Sequence, residues 1–319
     1  MKIAIISSGG DAPGMNPAIK KFVEYSIDNR FEPYFIYDGL EGLIDGKIKK
    51  AKIQDVAGII SKGGTIIRSS RSKRWYEKKY RQKAFENLKK EGIEAIVVLG
   101  GDGSFRALDI FYKEFGIKFM GIPATIDNDI ALNDYSIGVD TALNVIRHAI
   151  DEIRDTASSF SRAFVIETMG RECGYLALTS AIANGAEMCL IPEVEFNLEN
   201  LKKRFLKEIK EGRNYFIAIV AEGLNITEKI KQWFEREIGF ESRATILGHI
   251  QRGGSPTVIE RLRAAEFVVK AIDNLQKTPN KVVTYYNDKF ILRDLDEIIN
   301  SKYTLDKEML KIAKKLMGV

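Results

Sequence analysis

Short runs of apolar, largely β-branched residues alternate with amphipathic ones along this chain, and that alternation restricts the fold more than any other feature. KIAIISS, at residues 2–8, comes first. A glycine turn follows, and MNPAIKKFVEYSIDN then sets Ile19, Phe22, Val23 and Ser26 at helical spacing. PYFIYD, EAIVVLG, KFMGIP, AFVIETM, EMCLIP, YFIAIVAEG and ATILG continue the series, nearly all followed by an amphipathic segment. Continuous apolar strands must bury both faces, as they do in a parallel sheet covered by helices on each side. The fold class read from this pattern is α/β. No low-complexity linker or repeat marks a boundary. The long helical stretch from Asp140 to Phe160 is where the chain is expected to pass between two lobes. A cleft between α/β lobes is a usual working place for a two-substrate enzyme.

Composition narrows the class of molecule. At 319 residues, 45% hydrophobic and 29% charged, the chain can bury one large core or two medium ones. A net charge of +5 and a pI near 8.9 suit an anionic small substrate and argue only weakly for nucleic acid. Two cysteines, Cys173 and Cys189, and two histidines are too few for a disulfide framework or a Cys/His zinc site. A reducing cytoplasm is the expected setting. Both cysteines read as core residues, and His148, mid-helix, reads as structural. The apolar stretch Ile3–Ile6 is too short for a secretory signal, and no run approaches the ~18 apolar residues of a membrane span.

In open parallel sheets, ligands sit beyond the carboxyl ends of strands. Four such ends here are rich in glycine or acid: SSGGDAPGMN, LGGDGSFRA, IPATIDNDI and TMGRECG. In GGDGS, Gly100, Gly101 and Gly103 let backbone N–H groups approach a phosphate, and a helix starting at Ser104 would turn its positive end toward that anion. Asp102 among them suits a hydrated magnesium. A plain strand-to-helix turn explains one such loop equally well. Gly9, Gly10 and Gly14 come close to a phosphate-binding fingerprint, but no Gly-Lys-Ser/Thr ending follows, so arginine must help; IIRSSRSKRW offers Arg68, Arg71 and Arg74. IPATIDNDI crowds Asp127, Asn128 and Asp129 behind an apolar run. Like charges at contact distance repel, so either this is a solvated turn or something cationic or proton-bearing meets it.

The motifs SSGGDAPGMN, YDGLEGL, GGTIIRSSR, GGDGS, PATIDND, MGRECG, IPE, AEG and LGHIQRGGSP occur in the order and near the spacing of the bacterial ATP-dependent 6-phosphofructokinases, which the chain resembles from its first strand to its C-terminal helix. The GGDGS loop recurs in NAD kinases and diacylglycerol kinases; TIDND with MGR and GHIQRGG is far more specific. The resemblance implies two Rossmann-like three-layer lobes with mostly parallel sheets and an active-site cleft between them. Residues 1–139 plus part of the C-terminal region would form the larger ATP-binding lobe, and about 140–255 the smaller fructose 6-phosphate lobe. Residues 256–319 would pack back on both. It implies that Asp127 is the base taking the proton of the sugar 1-hydroxyl as that oxygen attacks the γ-phosphate of ATP. Thr125 and Arg171 would meet the transferring phosphoryl group. ATP contacts fall on Gly10, Arg71, Ser72, Gly101, Asp102, Gly103 and Ser104, with Mg2+ on Asp102 and Asp129. The sugar phosphate falls to Arg162, Met169, Gly170, Glu222, Arg243, His249 and Arg252 as well as Thr125, Asp127 and Arg171. In the family, the arginines matching Arg162 and Arg243 reach in from a neighbouring subunit, which implies a homotetramer. No nucleic-acid or membrane partner is implied.

Two departures stand out. Pyrophosphate-dependent relatives place aspartate at the position of Gly103 and lysine before Thr-Ile-Asp; here Gly103 leaves room for ATP, and Ala124 matches neither the lysine nor the usual glycine. The family's second anion site, for ADP and phosphoenolpyruvate, is matched at Lys20, Arg154, Gly185, Glu187 and Arg213. Glu24, Ile53, Glu211 and Tyr215 stand where cationic or basic residues are usual. Carboxylates in place of cations weaken anion binding by several kcal/mol on charge grounds, so weakened or absent effector control is expected. Three other readings remain. One is a pyrophosphate-dependent enzyme. A non-catalytic sugar-phosphate sensor predicts damage at Asp102, Asp127 or Arg171, all of which are intact. A nucleic-acid module resting on Arg68–Lys83 leaves the acidic loop unexplained.

Overall fold

The computed structural model describes residues 1–319 and divides into two units, Met1–Ile126 with Ile130–Thr141 and Arg252–Tyr303, and Asp127–Asp129 with Ala142–Gln251 and Thr304–Val319. Its strands are β1 (Lys2–Ser7), β2 (Glu32–Ile36), β3 (Ile48–Lys50), β4 (Ile93–Gly100), β5 (Lys118–Pro123), β6 (Ala163–Thr168), β7 (Met188–Leu190), β8 (Phe216–Ala221), β9 (Ser242–Ile246), β10 (Lys281–Tyr286) and β11 (Lys289–Asp294).

The first unit holds a seven-stranded sheet in the order β11-β10-β5-β4-β1-β2-β3. Its five central strands are parallel, and the two outer pairs, β2 with β3 and β10 with β11, are antiparallel. Ile3–Ile6 and Ala95–Leu99 are wholly buried, as strands covered on both faces require. Phe105, Leu108 and Phe111 of the helix Asp102–Phe115 recur three residues apart and join Ile96, Val98 and Phe119 in one core. Burying each such ring or branched side chain contributes about 1.5–3 kcal/mol.

The second unit holds a parallel four-stranded sheet, β7-β8-β6-β9. On one face Phe205, Phe216 and Phe234 pack within 4.5–5.8 Å of one another by ring centroids, with Trp233 and Phe240 at the margin. The C-terminal helix Lys307–Met317 belongs to this unit, while Arg252–Tyr303 belongs to the first. The reading of 1–139 as one continuous piece meets a local exception: Asp127–Asp129 cluster with the second unit, where Asp127 pairs with Arg171. No helix is long and apolar enough to cross a membrane.

Candidate active site

In the first unit, the predicted nucleotide residues collect where β1, β4 and β5 end. Ser8 N–H donates to the Leu99 carbonyl at 2.9 Å, and Ser104 Oγ to the Ser8 carbonyl at 3.1 Å, joining the GGDAPG loop to the start of the helix Asp102–Phe115. Gly101 caps that helix, and a side chain at either Gly101 or Gly103 would meet nothing within 4 Å. Asp102 opens the first turn, where a negative charge complements the helix dipole. Its Oδ2 accepts from Arg106 Nε at 2.7 Å, while Oδ1 is buried without a hydrogen-bond partner. An orphaned carboxylate oxygen suits a hard cation. Magnesium carried by phosphates needs only one or two carboxylates, so the lack of any cluster of three metal-ligating side chains does not conflict with it.

The basic run after β3 sorts itself by pairing. Arg68 is ion-paired with Asp38, whose carboxyl is held well below the usual range chiefly by that guanidinium. Arg74 pairs with Glu41 and with Asp45 at 2.9 Å, and buried Arg81 grips Glu114 bidentately at 2.6 and 2.7 Å. Arg71 is exposed, with no hydrogen bond or ion pair, and is the arginine left available to an anion. Ser72 Oγ accepts from Trp75 N–H at 3.1 Å, and the Trp75 indole donates to the Ala107 carbonyl, so the Arg71–Ser72 turn is tied to the helix that begins at Asp102. Arg252, predicted for the sugar phosphate, lies against Gly10 and donates to the Asp11 carbonyl at 3.1 Å. Ala124 is buried, its N–H on the Gly100 carbonyl at 2.9 Å, and Thr125 follows it.

In the second unit, β6 leads into a tight turn, Thr168–Gly174, that presents Arg171. Glu222 Oε1 accepts from Gly170 N–H at 3.1 Å and Arg171 N–H at 2.8 Å. Gly170 has φ of 137°, and a Cβ there would collide with the Cys173 carbonyl; one at Gly223 would collide with the Arg171 carbonyl. Both positions therefore need glycine. Arg171 itself has φ of 53°, a left-handed conformation that non-glycine residues keep only when their surroundings hold it. Its Nε stands 3.2 Å from Asp127 Oδ2, with the Asp127 side chain 1% exposed and that of Arg171 54%. A buried carboxylate therefore meets a guanidinium that water and ligands can still reach. Met169 N–H donates to Gln251 Oε1 at 3.1 Å, a partner the sequence reading did not name, and His249 is exposed on the adjacent 3-10 turn Gly248–Arg252.

The predicted sugar-phosphate set does not gather in one place within this unit. Met169, Gly170, Arg171, Glu222 and His249 follow the carboxyl ends of β6, β8 and β9. Arg162 precedes β6, and Arg243 is the second residue of β9, paired in register with Phe164. Both guanidiniums turn to Glu241, Arg162 at 2.9 Å. At ~3.3 Å per residue, the six-residue strand between Arg162 and Arg171 separates them by roughly 20 Å.

Of the predicted effector residues, Lys20 is paired with Glu24 at 2.6 Å. Arg213 holds Glu187 at 2.7 Å and Glu208 at 3.0 Å. Arg154 donates to the Asn184 carbonyl and, at 3.4 Å, to the Tyr215 hydroxyl, with Gly185 alongside. Burial raises the Glu187 carboxyl. Ile53 is exposed, and Glu211 pairs loosely with Lys207 at 3.7 Å. Burial pushes the Cys173 thiol up to about 12 and raises that of Cys189 too, so both are inert at neutral pH. His148 is exposed, 3.2 Å from Glu152 on its own helix, and lines no site.

A family model described as phosphofructokinase matches residues 2–275. An ATP-dependent 6-phosphofructokinase from Sulfurimonas denitrificans is 60% identical over 315 residues, covering 98% of this chain and 99% of its own length. One from Wolinella succinogenes is 51% identical over 318 residues, covering 99% of this chain and all (100%) of its own. Among solved structures, phosphofructokinase from Saccharomyces cerevisiae matches with a TM-score of 0.89 at 34% identity, covering 99% of this chain but 46% of that one, so this chain spans about half of the yeast chain. A pyrophosphate-dependent phosphofructokinase from Marinobacter aquaeolei matches with a TM-score of 0.84 at 17% identity, covering 99% and 90%, which is a likeness of fold.

Proposed function

Because the chain belongs to the phosphofructokinase family, we propose that it is an ATP-dependent 6-phosphofructokinase, transferring the γ-phosphate of ATP to the 1-hydroxyl of fructose 6-phosphate. The observation that carries this reading is the buried Asp127 carboxylate set 3.2 Å from the reachable Arg171 guanidinium. Asp127 accepts the proton of the sugar hydroxyl. The freed oxygen forms its bond to the γ-phosphorus as the β–γ bridging bond breaks, and ADP leaves with that electron pair. Arg171 and the Thr125 hydroxyl stabilise the charge spread over the phosphoryl oxygens. Arg71 and Ser72, with the run Gly101–Ser104 and Gly10, hold the nucleotide. Asp102 and Asp129 are the carboxylates we assign to magnesium, which when bound neutralises phosphate charge. Open space at Gly103 and a neutral, buried Ala124 favour ATP over pyrophosphate as donor.

Glu222, Met169, Gly170, His249 and Arg252 serve the sugar phosphate. Arg162 and Arg243 stand at the opposite strand ends from Arg171, too far to serve it in their own chain, and so supply a neighbouring subunit. Self-association is supported by Val258, Ile259 and Leu262, apolar and 73%, 54% and 61% exposed on one helix start. We assign a homotetramer, and a cytoplasmic setting from the two inert thiols. At the second anion site, Glu24, Glu208 and Tyr215 already engage Lys20, Arg213 and Arg154, which supports weak effector control.

The test is initial rate with ATP and pyrophosphate in turn, coupled to fructose 1,6-bisphosphate formation. Turnover with ATP alone is the expected result; turnover with pyrophosphate in its place, or none with either, rejects the assignment.

A further inference from the structure

Glu260 is a carboxylate that the chemistry above leaves without a task. It lies in the first turn of the helix Val258–Asn274 and is wholly buried. Its Oε1 accepts from Gly138 N–H at 2.7 Å and the Tyr135 hydroxyl at 2.9 Å. Its Oε2 accepts from the Thr141 N–H and hydroxyl, both at 3.1 Å. Gly138 and Thr141 sit at the start of the helix Val139–Phe160, so one helix lends the other the anion that a helix start favours. The exchange is mutual. Thr257 caps Glu260's own helix by accepting from Glu260 N–H at 3.1 Å, donates its hydroxyl to the Asp140 carboxylate, and donates its N–H to the Thr141 hydroxyl at 3.3 Å. A buried charge is costly unless it is well bonded, and four donors meet that need.

The same atoms lead to the nucleotide side of the site. Ile137, next to Gly138, donates its N–H to the Pro123 carbonyl at 2.8 Å and bridges Ala124; Thr125 is the following residue. Gly138 also packs tightly on the loop that carries Gly10: a Cβ there would stand 2.6 Å from that of Ala12. Burial raises the Glu260 carboxyl to about 7 against the pull of its hydrogen bonds, and Tyr135, Asp140 and Arg263 are the ionisable groups around this cluster.

We propose that Glu260 is a positioning residue for phosphoryl transfer, holding Thr125 and the Gly10 loop in place through Gly138 and Ile137. The proposal rests on the kinase reading above. Its test compares the full-length wild type with Glu260→Gln and Tyr135→Phe, recording kcat and both half-saturations between about pH 6 and 8, with thermal melting alongside. Glu260→Gln is expected to lose about tenfold or more in kcat, with the half-saturation for fructose 6-phosphate within about threefold, because geometry is lost and binding is kept. The wild type is expected to decline in kcat as pH falls below about 7, and Glu260→Gln to lose that decline. Tyr135→Phe removes one donor, which raises the carboxyl further and moves that decline to higher pH; it decides alone if Glu260→Gln does not fold. A folded Glu260→Gln within about twofold of wild type, or a Tyr135→Phe whose acid decline does not move, overturns the positioning role while leaving the kinase reading in place. An inactive wild type overturns both.

Discussion

Replacing Glu222 with alanine removes a carboxylate oxygen that accepts from two backbone groups, Gly170 N–H at 3.1 Å and Arg171 N–H at 2.8 Å. A hydrogen bond to a charged acceptor contributes about 1.5–3 kcal/mol, and water replaces part of this at a partly exposed site, leaving about 2 kcal/mol for the pair. That is the amount by which the native turn loses ground to relaxed alternatives, since Arg171 sits at φ of 53° and gains by leaving it. Two kcal/mol corresponds to about thirtyfold in rate or equilibrium. Steady-state kinetics with ATP saturating should therefore show kcat/KM for fructose 6-phosphate about thirtyfold down. Part of the loss should fall on kcat, because Arg171 faces Asp127, the base proposed above. Glu222→Gln keeps one acceptor oxygen and should lose much less. Unchanged kcat with only KM raised would mean that Glu222 meets the sugar without holding Arg171. A kcat/KM within about threefold of wild type would refute the reasoning altogether.

Other outcomes follow from the same geometry. Asp127→Ser should lower turnover by on the order of a hundred- to ten-thousand-fold with fructose 6-phosphate binding largely kept, measured by steady-state rate and by calorimetry; near-normal turnover removes the base from Asp127. Arg162→Ser and Arg243→Ser should each raise the half-saturation for fructose 6-phosphate and leave that for ATP nearly unchanged, and sedimentation should show a looser oligomer; an unmoved half-saturation argues against a shared site. Phosphoenolpyruvate should leave the fructose 6-phosphate curve in place, since the cations matched to its site are already paired within the chain; a sigmoid curve shifted strongly at micromolar concentrations contradicts this.

Much of the fold was legible because the central strands are continuous apolar runs, a signal that needs no tertiary context. The edges were not. β3 is three residues long, and β10, buried over Val282–Tyr285, forms a hairpin with the half-buried edge strand β11. The hairpin's Asn287–Asp288 turn, with φ of 49° and 58°, was the available clue. The acidic loop and the MGR turn could be read from contiguous motifs. What neutralises Arg68 and Arg74 could not, since Asp38, Glu41 and Asp45 lie about thirty residues away and meet them only on folding. Glu260 had left a local trace: Thr257 followed three residues later by glutamate is a helix-start signature, which predicts a cap yet says nothing of the second helix the carboxylate serves.

Arg162 and Arg171 bracket a single strand that is hydrogen-bonded on both sides, by β8 and β9. Such a strand behaves as a connecting rod: it resists bending, so a tug on one end is delivered to the other. A displacement at the Arg162 end of this strand is thus carried to the turn that holds Arg171 beside Asp127.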